Sequence, residues 1–198
     1  MAMIKTTAPT RMTTIKTTFF STLFVIGIGW VLILPHPIAS GVQLPDGTVA
    51  FTQPPLLVGA KTPYPDTDVP DTIYYFTLEL SPNAGAPLQR VAFSQTEGSQ
   101  LIRFDLKNSY AFEGTQGHQG PKLPLQPPVK GDSRTRNITV TFDPPVPPGK
   151  TVTIALRTVR NPLYDGTYLF GVTAFPAGEQ TTGQFIGYGR LQFYTDVP

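Results

Sequence analysis

Short runs of alternating hydrophobic and polar residues dominate the chain after residue 40. In Ile73–Leu80, one face of the predicted strand carries Tyr74, Phe76, Leu78 and Leu80. The other face carries Tyr75, Thr77 and Glu79. An alternation with period two is typical of a β-strand that buries one face. The same alternation predicts further strands at Val91–Phe93, Ile102–Leu106, Ile138–Phe142 and Val152–Leu156.

Two later segments depart from simple alternation. Thr167–Phe175 carries Leu169 and Gly171 on the face that a surface strand would fill with polar residues. We therefore predict that this strand is central or covered on both sides. Phe185–Tyr194 is predicted as the last strand, and its glycines indicate a bulge or a close backbone approach.

The number of prolines limits the fold classes that are possible. Only three of the 22 prolines lie in the first forty residues, which leaves 19 in the remainder and excludes long helices there. We predict an all-β fold, an antiparallel immunoglobulin-like β-sandwich with Pro/Gly-rich loops, preceded by an N-terminal signal helix. Asp143–Gly149 is predicted to cross between the sheets, Asn161–Gly166 to reverse the chain, and Gly114–Gly131 to form a long loop without regular structure.

The N-terminal segment has the layout of a secretory signal. Arg11 and Lys16 precede the apolar run Phe19–Leu34, which ends at Pro35–Ser40. We predict cleavage after Ser40, so that residues 1–40 are a signal peptide or a signal anchor and residues 41–198 are a single β-sandwich domain. The protein would then be exported to the periplasm, cell envelope or extracellular space, and would touch a membrane only through this segment before cleavage.

Removal of the signal changes the charge. The whole chain has a net charge of +2, with 15 basic and 13 acidic residues, but three basic residues and no acidic ones precede residue 41. The predicted mature chain has 12 basic and 13 acidic residues, a net charge of −1, which argues against a nucleic-acid partner. The absence of cysteine excludes disulfides, thiolate zinc sites and a cysteine nucleophile. No cofactor is predicted.

Several longer motifs resemble one protein family. They are Phe51–Val58, Tyr74–Leu78, Phe142–Gly149, Gly166–Gly178 and Gly187–Tyr194. They resemble the exported cyanobacterial proteins catalogued as domain of unknown function 2808. The resemblance covers nearly the whole predicted mature chain. It implies a cyanobacterial envelope or extracellular location, and it supplies no activity, ligand or catalytic residue.

Two groups of residues come closest to a catalytic or metal-binding pattern. His118, between Gly117 and Gln119, is interpreted as a solvated loop histidine, because no serine–aspartate frame accompanies it. Asp66, Asp68 and Asp71 begin with the spacing of a calcium loop. Pro70 replaces the turn glycine there, and no bidentate glutamate follows at the right distance. We predict an acidic surface turn, and no catalytic, cofactor-binding or metal-binding residue is assigned.

The remaining acidic residues give the alternative hypothesis. Glu79, Glu97, Glu113 and Asp143 could supply the carboxylate pair of a glycosidase, but no local pattern selects two of them. The alternative function is therefore an exported hydrolase that uses scattered carboxylates or His118.

A binding role agrees better with the composition. Some of five tyrosines could form an exposed aromatic platform for glycans or peptides, while others belong to the core. They are Tyr64, Tyr75, Tyr164, Tyr188 and Tyr194. We predict an exported non-enzymatic envelope or extracellular accessory protein that acts through protein or glycan contacts.

Overall fold

The computed structural model describes residues 42–45, 47–127, 130–132 and 136–195. The predicted signal helix and cleavage site in residues 1–40 lie outside the described residues. All described residues belong to one compact unit, residues 37–198. The buried hydrophobic core is formed between residues 50 and 193 of this unit. Because the unit contains its own core, it can be studied as a separate polypeptide.

The described residues form strands with short connections. The strands are β1 (Val42–Gln43), β2 (Val49–Ala50), β3 (Leu56–Lys61), β4 (Ile73–Glu79), β5 (Leu88–Glu97), β6 (Tyr110–Thr115), β7 (His118–Leu123), β8 (Lys130–Asp132), β9 (Asn137–Val146), β10 (Thr151–Arg157), β11 (Gly166–Pro176) and β12 (Gln184–Phe193). One 3₁₀ turn covers Leu106–Asn108. In the described ranges, no helix has the length and apolar character needed to cross a membrane.

Ten of these strands form two five-stranded sheets. Sheet A has the order β3-β4-β10-β6-β7 and sheet B has the order β12-β11-β5-β9-β8, while β1 and β2 pair separately. Neighbouring strands in both sheets are antiparallel. The predicted fold class, an antiparallel immunoglobulin-like β-sandwich, is confirmed.

The core fills the space between the sheets. Phe76 on β4 of sheet A packs against Phe93 and Phe170 of sheet B, with ring centroids 4.7 Å and 5.7 Å away. Tyr74, Phe76 and Leu78 are buried, as their alternation along β4 predicts. Large aromatic side chains bury much apolar area each, so this layer supplies a major part of the stability.

The two strands that depart from simple alternation, β11 and β12, match their predictions. β11 lies between β12 and β5, and its residues Phe170 and Gly171 are buried, so Thr167–Phe175 is a central strand. The β11–β12 register shifts between Val172 and Thr173, which makes a bulge opposite them in β12. A Cβ at Gly189 would lie 2.6 Å from the Phe76 ring, so the close backbone approach of β12 requires glycine.

Four sequence-based expectations need correction or refinement. Ile102–Leu106 is not a strand of either sheet, because only Phe104 makes a bridge, to Thr158 just beyond β10. Gly114–Gly131 contains the end of β6, all of β7 and the start of β8, rather than one long loop. Asn161–Gly166 does reverse the chain, but it connects β10 of sheet A to β11 of sheet B and is not a hairpin turn. The chain crosses between the sheets at the end of Asp143–Gly149 as predicted, but Asp143–Val146 still belong to β9, and the connection to β10 begins at Pro147.

Candidate binding surface at one end of the sandwich

Connections from both sheets meet at one end of the sandwich. We call this surface the loop end and define it as residues 62–71, 159–165 and 194. The amide of Thr67 donates to the carbonyl of Tyr194 at 2.9 Å, and the amide of Asp68 donates to the carbonyl of Pro162 at 2.9 Å. These bonds hold three separate chain segments together.

Asn161 is buried at the centre of the loop end, with 1% of its surface exposed. Its Nδ2 donates to the carbonyls of Tyr64 and Asp66 at 2.8 Å and 2.7 Å. Its Oδ1 accepts from the hydroxyls of Thr72 and Tyr74 at 2.8 Å and 2.9 Å. A side-chain amide has two donor hydrogens and one acceptor oxygen, and all of them are used here. One side chain thus links the loop end to β4 and to Thr72 just before it, in addition to the backbone bonds between the segments.

The protonation of Tyr74 agrees with its role as a donor to Asn161. Burial raises the pKa of the Tyr74 phenol well above its ordinary value, and the nearby Tyr168 raises it further. Desolvation disfavours the phenolate because the charged form loses its hydration. Tyr74 therefore stays neutral at physiological pH and keeps the proton that it donates.

Five large hydrophobic side chains are exposed at the loop end. Their exposed fractions lie between 47% and 60%, and the residues are Tyr64, Val159, Leu163, Tyr164 and Tyr194. Hydrogen bonds of their backbone groups to other side chains hold two of these residues in place. The hydroxyl of Tyr168 donates to the carbonyl of Tyr164 at 3.1 Å, and the amide of Leu163 donates to Oε1 of Gln100 at 2.8 Å. Exposed apolar groups on a fixed backbone are suited to binding, because little ordering is needed when a partner docks.

The other two tyrosines of the predicted platform lie elsewhere. Tyr75 is buried on the outward face of sheet A, where its ring packs against Phe112 at 6.4 Å. Burial and the neighbouring Tyr110 raise the pKa of Tyr75 to about 12. Tyr188 is exposed on β12 and packs edge-to-face against Phe185 at 5.0 Å. The structure thus brings Tyr64, Tyr164 and Tyr194 to one surface and separates Tyr75 and Tyr188 from it.

The acidic turn lies within the loop end, and two of its three carboxylates have arginine partners. Asp68 forms an ion pair with Arg160 at 2.7 Å, and Asp71 forms one with Arg157. The backbone carbonyl of Asp66 accepts from Asn161. Within the residues that the structure describes, no group of three or more histidine or acidic side chains is arranged to hold a metal ion.

The remaining candidate residues are dispersed. His118 is the exposed first residue of β7 and pairs with Thr115, so it lies in a hairpin strand rather than in a loop. Glu113 forms an ion pair with Lys150 at 2.7 Å, and Asp143 accepts from Gln126 at 3.4 Å. Glu79 and Glu97 are exposed at the last positions of β4 and β5.

Comparisons with known proteins give one family and several distant folds. The family model described as Protein of unknown function (DUF2808) matches residues 48–193. No curated protein matches the chain.

Among solved structures, a collagen-binding domain from a Staphylococcus aureus adhesin is 9% identical, with a TM-score of 0.37, over 67% of this chain and 93% of that one. The collagen-binding subdomain of the Enterococcus faecalis surface protein ACE is 6% identical, with a TM-score of 0.37, over 63% and 89%. BslA, a bacterial hydrophobin, is 13% identical, with a TM-score of 0.38, over 68% and 98%.

Proposed function

This chain belongs to the family described as Protein of unknown function (DUF2808), and we propose that it is an exported, non-enzymatic accessory protein of the envelope or extracellular space of a cyanobacterium. In this proposal the loop end binds a protein or a glycan of the envelope. Residues 1–40 act as the export signal, and residues 41–198 form the single β-sandwich domain that binds the partner.

One observation carries the proposal. Three tyrosines and two aliphatic residues are half exposed on loops that Asn161 fixes with four side-chain hydrogen bonds. Tyrosine is enriched in binding surfaces because it offers a rigid apolar face and a polar tip at a low cost in conformational entropy. Such a ring can stack on a sugar or fill a pocket in a protein.

Two ion pairs lie on the same segments as these aromatic residues or next to them. Asp68 with Arg160 and Asp71 with Arg157 form exposed ion pairs beside the tyrosines. A hydrophobic centre with a polar rim is the common arrangement of protein interfaces. The dispersed positions of Glu79, Glu97, Glu113 and Asp143 offer no comparable support for the hydrolase alternative.

Co-sedimentation with isolated cell envelopes tests the proposal. Residues 37–198 would be mixed with washed envelopes, as the wild type and as a variant with Tyr64, Tyr164 and Tyr194 replaced by serine. We expect the triple variant to bind at least about tenfold more weakly, because a few aromatic residues carry most of the energy of an interface. The matched control replaces Phe185 and Tyr188 by serine, which removes exposed aromatic area away from the loop end.

The same experiment separates the two kinds of partner. Protease treatment of the envelopes should abolish binding if the partner is a protein, and periodate oxidation should abolish it if the partner is a glycan. If the triple variant binds as well as the wild type while the control variant loses binding, the loop end is not the binding surface.

A further inference from the structure

A cavity of about 380 Å³ opens beside the loop end, between the β5–β9 strand pair and the β5–β6 connection. This volume lies within the usual range for small-molecule sites, about 300–1,000 Å³. At about 30 Å³ for each water-sized group, the cavity holds a ligand of roughly a dozen non-hydrogen atoms.

Most of the cavity wall is apolar. Leu101, Phe104 and Leu106 line it from the β5–β6 connection, and Ile138 lines it from β9. Behind this wall, the Phe104 ring packs edge-to-face against Tyr74 and Phe170 of the core, with centroids 5.7 Å and 6.0 Å away. The wall is thus continuous with the core and favours an apolar ligand body.

The connection that forms this wall is held on both sides. Nε2 of the buried Gln95 donates to the carbonyl of Gln100 at 2.7 Å, and its Oε1 accepts from the amide of Ile102 at 2.9 Å. On the other side, the amide of Val159 donates to the carbonyl of Arg103 at 2.9 Å. Leu101 lies between the two positions that Gln95 binds. The cavity is therefore formed before any ligand arrives, which lowers the entropic cost of binding.

Two arginines give the cavity its charge. Arg103 and Arg136 line it, both residues are exposed, and neither forms an ion pair with a described side chain. Of the described residues that line the cavity, none is acidic. The other two arginines near this end, Arg157 and Arg160, are each paired with an aspartate. A guanidinium binds a carboxylate or a phosphate through two parallel hydrogen bonds, so two arginines with no acidic partner among the described side chains favour an anionic head group.

We propose that this cavity binds a small amphipathic anion, with a linear or aromatic apolar body of about ten carbon atoms and one carboxylate or phosphate head group. The apolar body lies against Phe104, Leu106 and Ile138, and the head group lies at the opening with Arg103 and Arg136. Binding at the cavity does not depend on the tyrosines of the loop end, so the two proposals are tested separately.

Calorimetric titration with single-chain probes tests the site. Decanoate and decyl phosphate, kept below their micelle-forming concentrations, would be titrated into residues 37–198, with decanol and decyltrimethylammonium as neutral and cationic counterparts. We expect both anions to bind at least about tenfold more tightly than the counterparts, because charged hydrogen bonds contribute more than neutral ones. The ratio of the two anion affinities identifies the preferred head group.

Two variants locate the binding. Arg103→Gln combined with Arg136→Asn should weaken decanoate binding at least about tenfold and remove the preference over decanol. Asparagine is chosen at position 136 because that residue has a left-handed backbone (φ 59°), which asparagine tolerates. Leu106→Trp should fill the cavity and abolish binding of all four probes.

Lys107→Gln is the matched control. It removes one positive charge from an exposed residue next to Leu106 that does not line the cavity, and it should leave decanoate binding unchanged. Circular dichroism would verify that each variant is folded. Equal binding of decanoate and decanol, or full binding by the folded double arginine variant, would overturn the assignment of an anion site. Absence of binding by all four probes to the wild type would overturn the ligand site itself.

Discussion

The hydroxyl of Tyr74 donates a 2.9 Å hydrogen bond to Oδ1 of Asn161, and both side chains are buried. Tyr74 belongs to β4 in sheet A, and Asn161 belongs to the connection that leads from β10 to β11. This bond and the bond from the Tyr168 hydroxyl to the Tyr164 carbonyl join the aromatic core to the surface that we propose for binding. The backbone at Tyr64 and the buried Tyr74 thus share one hydrogen-bonding side chain, Asn161.

Replacement of Asn161 by alanine should destabilise the protein. The change removes the acceptor of the Thr72 and Tyr74 hydroxyls and the donor to two carbonyls, although Thr72 keeps its 3.2 Å contact with the Thr158 hydroxyl. Unpaired buried polar groups cost about 1–3 kcal/mol each before rearrangement. We expect the free energy of unfolding to fall by about 2–4 kcal/mol in urea titrations. Asn83→Ala, at an exposed turn, should change it by less than about 0.5 kcal/mol. Similar losses in the two variants would contradict the central role of Asn161.

Replacement of Phe170 by alanine tests the assignment of the central strand. Phe170 is 1% exposed and contacts the rings of Tyr74, Phe76 and Phe104. Loss of this ring should lower the free energy of unfolding by about 3–5 kcal/mol, because it leaves a cavity in the core. Phe185→Ala, at an exposed site, is the control and should have a much smaller effect. A small loss at Phe170 would show that its side chain does not fill the core.

Stability should decline at alkaline pH in a way that depends on Tyr75. Its pKa is raised to about 12 by burial and by Tyr110, whereas a tyrosine in an unfolded chain has a pKa near 10. Between these values the unfolded chain releases the proton and the folded protein keeps it. The contribution of the neutral phenol is thus complete below about pH 10 and is lost as the pH rises through about 12.

The measurement compares urea midpoints at about pH 9 and about pH 11 for the wild type and Tyr75→Phe. Phenylalanine keeps the ring against Phe112 but has no proton to lose, so the decline between the two pH values should be smaller in the variant. Equal declines would mean that Tyr75 does not contribute to the alkaline loss of stability.

The acidic turn and the histidine should be replaceable without loss of the fold. Asp68 has a left-handed backbone (φ 61°), which asparagine accommodates, and its ion pair with Arg160 is exposed. Exposed ion pairs contribute at most about 1 kcal/mol, so Asp68→Asn should change the melting temperature only slightly.

His118→Ala, at an exposed strand position, should also have little effect on the melting temperature. Calcium and a chelator should leave the melting temperature of the wild type unchanged. A rise of several degrees with calcium that Asp68→Asn abolishes would reveal a metal site.

Export with cleavage predicts a mature N-terminus near Gly41. Arg11 and Lys16 before Phe19–Leu34, and the small residues Ala39 and Ser40 after it, are the basis for this expectation. Peptide mass mapping of protein recovered outside the cytoplasm should find no peptide that contains Trp30. A dominant species that retains Trp30 would indicate a signal anchor.

The regular strands could be predicted from sequence because burial on one face leaves a local pattern. Ile138–Phe142 and Val152–Leu156 lie wholly in sheet strands, and Ile73–Leu80 does so except for its last residue. Ile102–Leu106 has the same alternation, but its backbone bonds to Arg157, the last residue of β10, and to Val159 beyond it, and the amide of Ile102 donates to the Gln95 side chain. Such pairing depends on residues distant in the sequence, so period alone predicted a strand that is absent.

The candidate sites were only partly predictable. Tyr64, Tyr164 and Tyr194 were among the tyrosines proposed for a platform, but their common location depends on how Asn161 joins two connections. The Asn-Pro pair after a strand signals a turn, and nothing local distinguishes a solvated asparagine from a buried one with four partners. The cavity with Arg103 and Arg136 was missed, since these arginines are 33 residues apart and line the same cavity because β5 pairs with β9.

The position of Pro121 has a consequence for self-association. β7 is the outermost strand of sheet A, so one of its edges has no strand neighbour within the sheet. An exposed edge can recruit a strand from a second molecule and start aggregation. Pro121 has no amide hydrogen to offer to such a strand, and the adjacent Lys122 adds a positive charge. At high concentration the chain therefore resists edge-to-edge polymerisation at this strand.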